Sequence, residues 1–508
     1  MSLRPQSRFP TIVYRRPQVA QGASGVSGAE KGQIGVDYIP AMNAGMTVVV
    51  PFQRESDLQA HLAAAGISSD QLPAAFSWTN ADQVKKLRNL PNFQSNWIMS
   101  PPNQSACGSC WAVSSTSALT DRYSIAHQQR TPILSAVVTA SCATNQQGAD
   151  GCQGGWPADA GCFFEQVGVP ADDCWPYSKF CTPNANASTT CGTTGEYACC
   201  GGGDVNQRRL ASSASASDDS GTRAQCVDFS SRVGTQCGTS PGNASICQGG
   251  SKATLRYKAS PGSTASLAAG TIPDVIRRMK ANLFAGGPIV SCFFVYGDFM
   301  LPTAIPEWGW KQTGGIYINA NPSPYLQDPW LQQFWNSRTS DVYSKYLAVF
   351  QNSSIDLGSS FAEFQKNIQN YFNSVLGGHA VTVVGWDSGS AGSYGTLPYW
   401  IVRNSWGTQW NEQGFFRIAM SDPSKNLNVN ANMEVMTQNG QVLGGATVFN
   451  VPASTSSVYH PLGSSKSGKG ANIWLYLALI ALAVAVVAIY IYWKKYKKSP
   501  VNLAKPTA

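Results

Sequence analysis

Residues 103–112 read NQSACGSCWA, with Cys107 and Cys110 three positions apart behind Gln104. Such a pair can be a redox couple, half a metal site, or the home of a thiol that attacks carbonyl carbon. The stretch after Cys110, WAVSSTSALTDRYSIAHQQ, has helical periodicity, so Cys110 opens a helix. There the orphan N–H groups and the helix dipole favour a thiolate. Downstream, GGHAVTVVGW puts His379 at the start of one strand and RNSWG puts Asn404 at the end of the next. A thiolate, an imidazole and an amide able to orient it form a Cys-His-Asn arrangement for nucleophilic catalysis.

The rest of the chain bounds that chemistry. The sequence has 508 residues and a net charge of +8, much of it at the two ends (Arg4, Arg8, Arg15, Arg16; Lys494, Lys495, Lys497, Lys498). No basic stripe interleaved with aromatics lies between them, so no nucleic-acid partner is expected. Fourteen cysteines, most of them between Cys107 and Cys237, favour a disulfide framework made in an oxidising compartment. Zinc would want repeated C-x2-C pairs or nearby histidines. The chain has four histidines only, His61, His127, His379 and His460, so neither a metal nor another cofactor is expected.

Pattern also lays out the supporting elements. Residues 1–71 read as an N-terminal extension suited to a pro-segment, with one strand in MTVVVPF and one short helix, ESDLQAHLAAAG, stopped by Gly66. A core domain spans 72–436. It is interrupted by a Gly/Ser/Ala-rich insertion at 201–252 and an aromatic one at 318–376. In the second, Ser360 and Glu363 have capping-box spacing, and Phe361, Phe364, Ile368, Phe372 and Val375 fall on one face. TIPDVIRRMKANLFAGGPIVSCFFVY reads as a helix then a strand. A linker at 437–472 leads to 473–493, an uncharged apolar run long enough to span a ~30 Å hydrocarbon core as a transmembrane helix. Residues 494–508 form a basic tail.

Four ordered segments, QSACGSCWA, DGCQGGWP, GGHAVTVVGW and PYWIVRNSWGTQWNEQGFFRI, resemble those of the papain-like cysteine peptidases, and LPAAFSW at Leu72 resembles the start of their mature domain. DDCWPYSKFC and GGPIVSCFFVYGDFM are similar to segments of the cathepsin B branch. The C-terminal apolar run is similar in placement to the anchors of cathepsin-like proteinases of large DNA viruses. Related enzymes place the histidine about 130–150 residues after the cysteine. Leaving out the two insertions brings the Cys110–His379 interval close to that range.

The resemblance implies a two-lobed α+β papain-like fold, with a helical lobe and a β-rich lobe, acting on polypeptide substrates as a cysteine endopeptidase. Cys110 is then the nucleophile beside a protonated His379, Asn404 orients the ring, and Gln104 with the Cys110 backbone N–H forms the oxyanion hole. Trp406 covers the His379–Asn404 contact, Gly154 and Gly155 admit the substrate backbone, and Glu434 lies at the pocket for the second residue before the scissile bond. The same resemblance pairs Cys107 with Cys152, Cys142 with Cys199 and Cys174 with Cys200 (or these two with Cys199 and Cys200 exchanged), and Cys181 with Cys191, and leaves Cys292 as the candidate for an unpaired thiol.

Two departures stand out. Ser105 replaces the glycine usual after the glutamine. TPNANASTT, between Cys181 and Cys191, lacks the histidine that makes cathepsin B trim carboxyl termini, which points to endopeptidase action. The rival from another class is a catalytically idle, membrane-anchored binding protein on the same fold. Lysines after the apolar run imply a single-pass protein with a cytosolic tail and a luminal, extracellular or virion-facing catalytic domain. The sequons at Asn186, Asn243 and Asn352 are compatible with that topology.

Overall fold

The helix that opens at Cys110 carries five serines and threonines in its first eleven residues, yet every residue from Cys110 to Ile125 is buried. This helix, α3 (Cys110–Ala126), satisfies four of its hydroxyls on its own carbonyls and pairs Thr116 with Thr139 at 2.7 Å, while Ser115 Oγ is buried without a partner among the described residues. Ser114, Ser117, Thr120 and Ser124 each donate to the carbonyl four residues back, at 2.6, 2.7, 2.9 and 3.1 Å. A buried hydroxyl without a partner would cost about 1–3 kcal/mol, so this back-bonding is what lets a polar helix enter a core. The computed structural model describes residues 52–68, 72–105, 107–143, 154–174, 176–177, 229, 256–337, 341–438 and 441–452. Before α3 lie α1 (Glu55–Ala64) and α2 (Ala81–Leu87); after it come α4 (Ala136–Cys142) and α5 (Pro157–Gln166). Helices α3, α4 and α5 share one hydrophobic cluster, which includes Cys110, Trp111, Val138, Phe163 and Phe164.

A second and larger cluster lies against the sheet. The strands are β1 (Phe76–Ser77), β2 (Ala265–Ser266), β3 (Ile289–Tyr296), β4 (Ile316–Tyr317), β5 (Val375–Ser390), β6 (Thr396–Arg403), β7 (Phe415–Ala419), β8 (Val435–Gln438), β9 (Gln441–Gly445) and β10 (Thr447–Val448). The main sheet runs β2-β10-β3-β5-β6-β7-β4, with β1 on β5, while β8 and β9 form a hairpin of their own. Among the described strand pairs β4–β7 alone is parallel, and Phe52 adds a single parallel bridge to Ser266 of β2. The segment read as helix then strand is α6 (Ile272–Gly286) followed by β3. Thr271 and Asp274 cap α6 reciprocally, and Gly287, at φ 108°, lets the chain turn into the strand.

The aromatic insertion is helical. It holds α8 (Pro329–Asn336), α9 (Asp341–Asn352) and α10 (Phe361–Phe372), and α7 (Gly297–Thr303) lies just before it. Ser360 caps α10 by accepting from Glu363 N at 3.2 Å, and Phe364, Ile368 and Phe372 are buried. Val375 leaves the expected face: it is 47% exposed and begins β5 instead. The glycine-rich insertion falls outside the described residues except for Phe229, which is buried edge-on against Phe163.

The ends differ from expectation. The helix in the N-terminal extension packs on the core, with Leu58 and Leu62 of α1 against Ala281 and Ala285 of α6. Strands β9 and β10 occupy the start of the stretch read as a linker, and β10 joins the main sheet beside β3. The membrane anchor is corrected. Among the described residues no helix is long and apolar enough to cross a membrane. The longest, α3, has 17 residues and holds Asp121 and Arg122. Residues 473–493 lie outside the described residues, and the single-pass topology, membrane partnership and localisation built on them are withdrawn.

The disulfide framework is corrected too. Cys107, Cys142, Cys162 and Cys174 are disulfide-bonded, but among the described residues no bridge joins two cysteines. Cys152, Cys181, Cys191, Cys199 and Cys200 lie outside the described residues, so the expected pairings have no structural support. Cys110 and Cys292 keep their thiols.

Candidate active site

Antiparallel pairing of β3, β5 and β6 brings the chemistry-bearing residues to the N-terminus of α3. Ala380 N, on β5, donates to Cys110 Sγ at 3.1 Å, which sets the thiol one residue from His379. His379 Nε2 lies 2.8 Å from Asn404 Oδ1, just past the end of β6. All three residues are buried, Cys110 completely.

The proton on the imidazole can be assigned. Ser405 N also meets Asn404 Oδ1, at 2.8 Å. A backbone N–H can only donate, so the shared amide atom is the oxygen, and His379 Nε2 must carry the hydrogen. The other ring nitrogen, Nδ1, is buried without a hydrogen-bond partner. It is the atom left to accept a proton from a thiol. Burial pushes His379 down to about 4, with the Asn404 bond pulling the other way. A lone imidazolium is therefore disfavoured here, and a proton on Nδ1 needs an anion beside it. A thiolate at the acid-free first turn of α3 would be such an anion.

Gln104 is held from three sides. Its backbone N–H donates to Ser405 O at 2.8 Å, its Oε1 accepts from Ser405 Oγ, and its Nε2 donates to Cys107 O at 2.9 Å. The hydroxyl fixes which end of the amide is oxygen, and one N–H remains beyond that given to Cys107. Ser105 takes φ 56°, the left-handed region that favours glycine, and its N–H donates to Asn103 Oδ1 at 2.9 Å. The segment thus keeps a glycine-like turn without glycine.

Trp406 stacks on His379, with centroids 4.9 Å apart and planes 24° apart, and Trp410 meets Trp406 edge-on at 5.0 Å. Gly154 adopts φ 109°. A Cβ on Gly155 would come within 2.5 Å of the Trp111 indole, so packing inside the fold already demands glycine there. Glu434 stands apart. It is fully buried, Oε1 accepts from Trp400 Nε1 at 2.7 Å and Ser421 N at 3.3 Å, and Oε2 accepts from Ser421 Oγ at 2.7 Å.

Sequence reasoning missed Ser405, which locks Gln104, although it stands inside RNSWG. It also missed Asp121 and Arg403, a buried ion pair at 2.8 Å that ties α3 to β6. The available signal was the one charge of β6 and an acidic residue beside Arg122 in α3.

A buried thiol, an imidazole whose Nδ1 lies away from an asparagine, and a locked glutamine amide thus meet in one place in the fold. The papain family cysteine protease pattern matches residues 87–252 and 339–437, more than half of the chain, and the chain belongs to that family. It is similar to probable cysteine proteinase 361L of Invertebrate iridescent virus 6, with 26% identity over 395 residues, 75% of this chain and 61% of that protein. It is also similar to cathepsin B-like cysteine proteinase 4 of Caenorhabditis elegans, with 24% identity over 69% of this chain and 72% of that protein. Among solved structures, procathepsin B S9 from Trypanosoma congolense aligns over 82% of this chain and 87% of that one, with 19% identity and a TM-score of 0.39, too low to carry an argument.

Proposed function

We propose that the chain is a cysteine endopeptidase of cathepsin B-like type, hydrolysing peptide bonds through a thioester on Cys110. The observation that carries this reading is the placement of Cys110 Sγ, which accepts from Ala380 N, beside the neighbouring residue on β5, His379, whose Nε2 pairs with Asn404 Oδ1. In the first half-reaction Cys110 gives its proton to His379 Nδ1 and attacks the substrate carbonyl. The remaining Gln104 N–H and the Cys110 backbone N–H receive the developing oxyanion, a kind of donor worth about 2.7–4 kcal/mol in the transition state. His379 then returns the proton to the leaving amine. In the second half-reaction it takes a proton from water as the water oxygen bonds the acyl carbon; the carbon–sulfur bond then breaks, the acid leaves, and the proton returns to the Cys110 sulfur. Asn404 and Trp406 hold the ring in plane and keep solvent from the Nε2–H bond. Ion-pair formation between the Cys110 thiolate and His379 offsets the burial that otherwise keeps the imidazole neutral.

Support for internal cleavage comes from TPNANASTT, which has no histidine to capture a substrate's terminal carboxylate. Internally quenched peptides blocked at both ends test the reading. The wild-type chain, after removal of any inhibitory N-terminal segment, is expected to cleave them, and Cys110→Ala is not. Equal activity in both proteins would refute it.

A further inference from the structure

His379 has an aromatic neighbour on each of two sides. Trp406 stacks on it, and Phe293, its pairing partner on β3, meets it edge-on at 6.0 Å and 62°. Both neighbours touch one further ring. Phe299, in the first turn of α7, lies 5.9 Å from Trp406 and 5.3 Å from Phe293. It is fully buried and also packs on Trp310, Tyr317, Trp410 and Phe416.

The position of Phe299 is set from outside the site. Asp298, the residue before it, is buried and accepts from Tyr317 Oη at 2.7 Å and from Asn319 Nδ2 at 3.1 Å, which ties the start of α7 to β4. Gly297 N donates to Ser374 O at 3.2 Å, and a Cβ on Gly297 would come within 2.3 Å of Tyr371 O. Ser374 and Tyr371 belong to the end of α10 and the link into β5. The helical insertion therefore touches His379 twice over: directly through the strand it feeds, and at a distance through the seat it gives to α7.

We propose that Phe299 is a positioning residue, seated by α10 at Gly297, which braces Trp406 and Phe293 and so holds the His379 ring in its working plane. The insertion is then a support for the histidine. This role rests on the endopeptidase reading. Losing the brace leaves the substrate contacts in place and lets the imidazole tilt, so it acts on the chemical step and on the thiolate–imidazolium pair.

The test is the pH dependence of Cys110 alkylation by chloroacetamide, read by mass spectrometry, together with kcat and KM on a blocked peptide. Wild-type protein is expected to alkylate at Cys110 with a reactive plateau well below the ordinary thiol range. Phe299→Leu is expected to lose much of that plateau and to drop kcat by about 10–100-fold with KM nearly unchanged. Should Phe299→Leu fail to fold, Gly297→Ala decides by the same readouts, because its Cβ must push α10 and α7 apart. A folded variant that keeps the plateau and kcat overturns the brace and leaves the endopeptidase reading intact. Wild-type protein without selective Cys110 alkylation sinks both.

Discussion

Asp121 and Arg403 form a wholly buried ion pair, 2.8 Å apart, joining the helix that starts at Cys110 to the strand that ends beside Asn404. Met99 closes the link: its N–H donates to Asp121 Oδ1 at 2.8 Å, and its carbonyl accepts from Arg403 Nη1 at 2.9 Å. Registration of the nucleophile against the amide is thus carried by charge as well as by packing. Asp121→Ala leaves Arg403 buried without its counter-charge, which is expected to cost about 3–5 kcal/mol. The double variant Asp121→Leu/Arg403→Met should regain most of that in denaturant titration. A loss below about 1 kcal/mol in the single variant would show that the pair does not couple the two elements.

Ser405 is expected to act on rate through Gln104. Ser405→Ala removes the hydroxyl that fixes Oε1 and lets the amide turn its N–H away from the oxyanion. On a blocked peptide kcat should fall about tenfold with little change in KM, less than the loss from removing a donor outright. A rise in KM at constant kcat would move Ser405 from the chemistry to substrate binding.

Acid should weaken the fold partly through His61. This side chain of α1 lies against Gly286 and Arg122, and burial first, then Arg122 and Arg88, push its imidazole down to about 4. The unfolded chain takes up that proton near 6.5, the folded chain only near 4. The contribution is therefore whole above pH 6.5 and is lost as pH falls toward 4. His61→Gln should thus flatten the acid limb of a stability–pH curve without abolishing it. An unchanged acid limb would exclude His61 as a source of the acid sensitivity.

Chemistry-bearing residues were legible where a short stretch carries both residue type and backbone context. Cys110 opens its helix as read, while β5 begins at Val375, ahead of His379, and β6 ends at Arg403, just before Asn404. What the sequence could not show is how distant elements close around a side chain. Glu434 reads by resemblance as a residue of a specificity pocket, yet Trp400 and Ser421 hold both its carboxylate oxygens. Asp121 and Arg403 meet only once β6 lies beside α3. Val375 continues the apolar stripe of α10, but pairing with Tyr296 draws it into β5. The withdrawn anchor rested on hydropathy alone, a signal that no described element supports.

Glu434 is expected to behave as an anchor of the fold. Glu434→Ala leaves the Trp400 and Ser421 donors buried without an acceptor, which should cost at least about 2 kcal/mol. Peptides with arginine or phenylalanine two residues before the scissile bond should lose activity in equal proportion. A selective loss of the arginine substrate at unchanged stability would instead return the carboxylate to a specificity pocket.

The proposed peptide hydrolysis turns on one sulfur atom. Folded protein treated with a peptidyl epoxide, then digested and mapped by mass spectrometry, puts that sulfur to the test. One adduct per chain is expected, on Cys110, formed in step with loss of peptide hydrolysis and much slower in His379→Ala. An adduct on Cys292 or another cysteine, or full hydrolytic activity in protein whose Cys110 is already modified, would contradict the assignment of Cys110 as nucleophile.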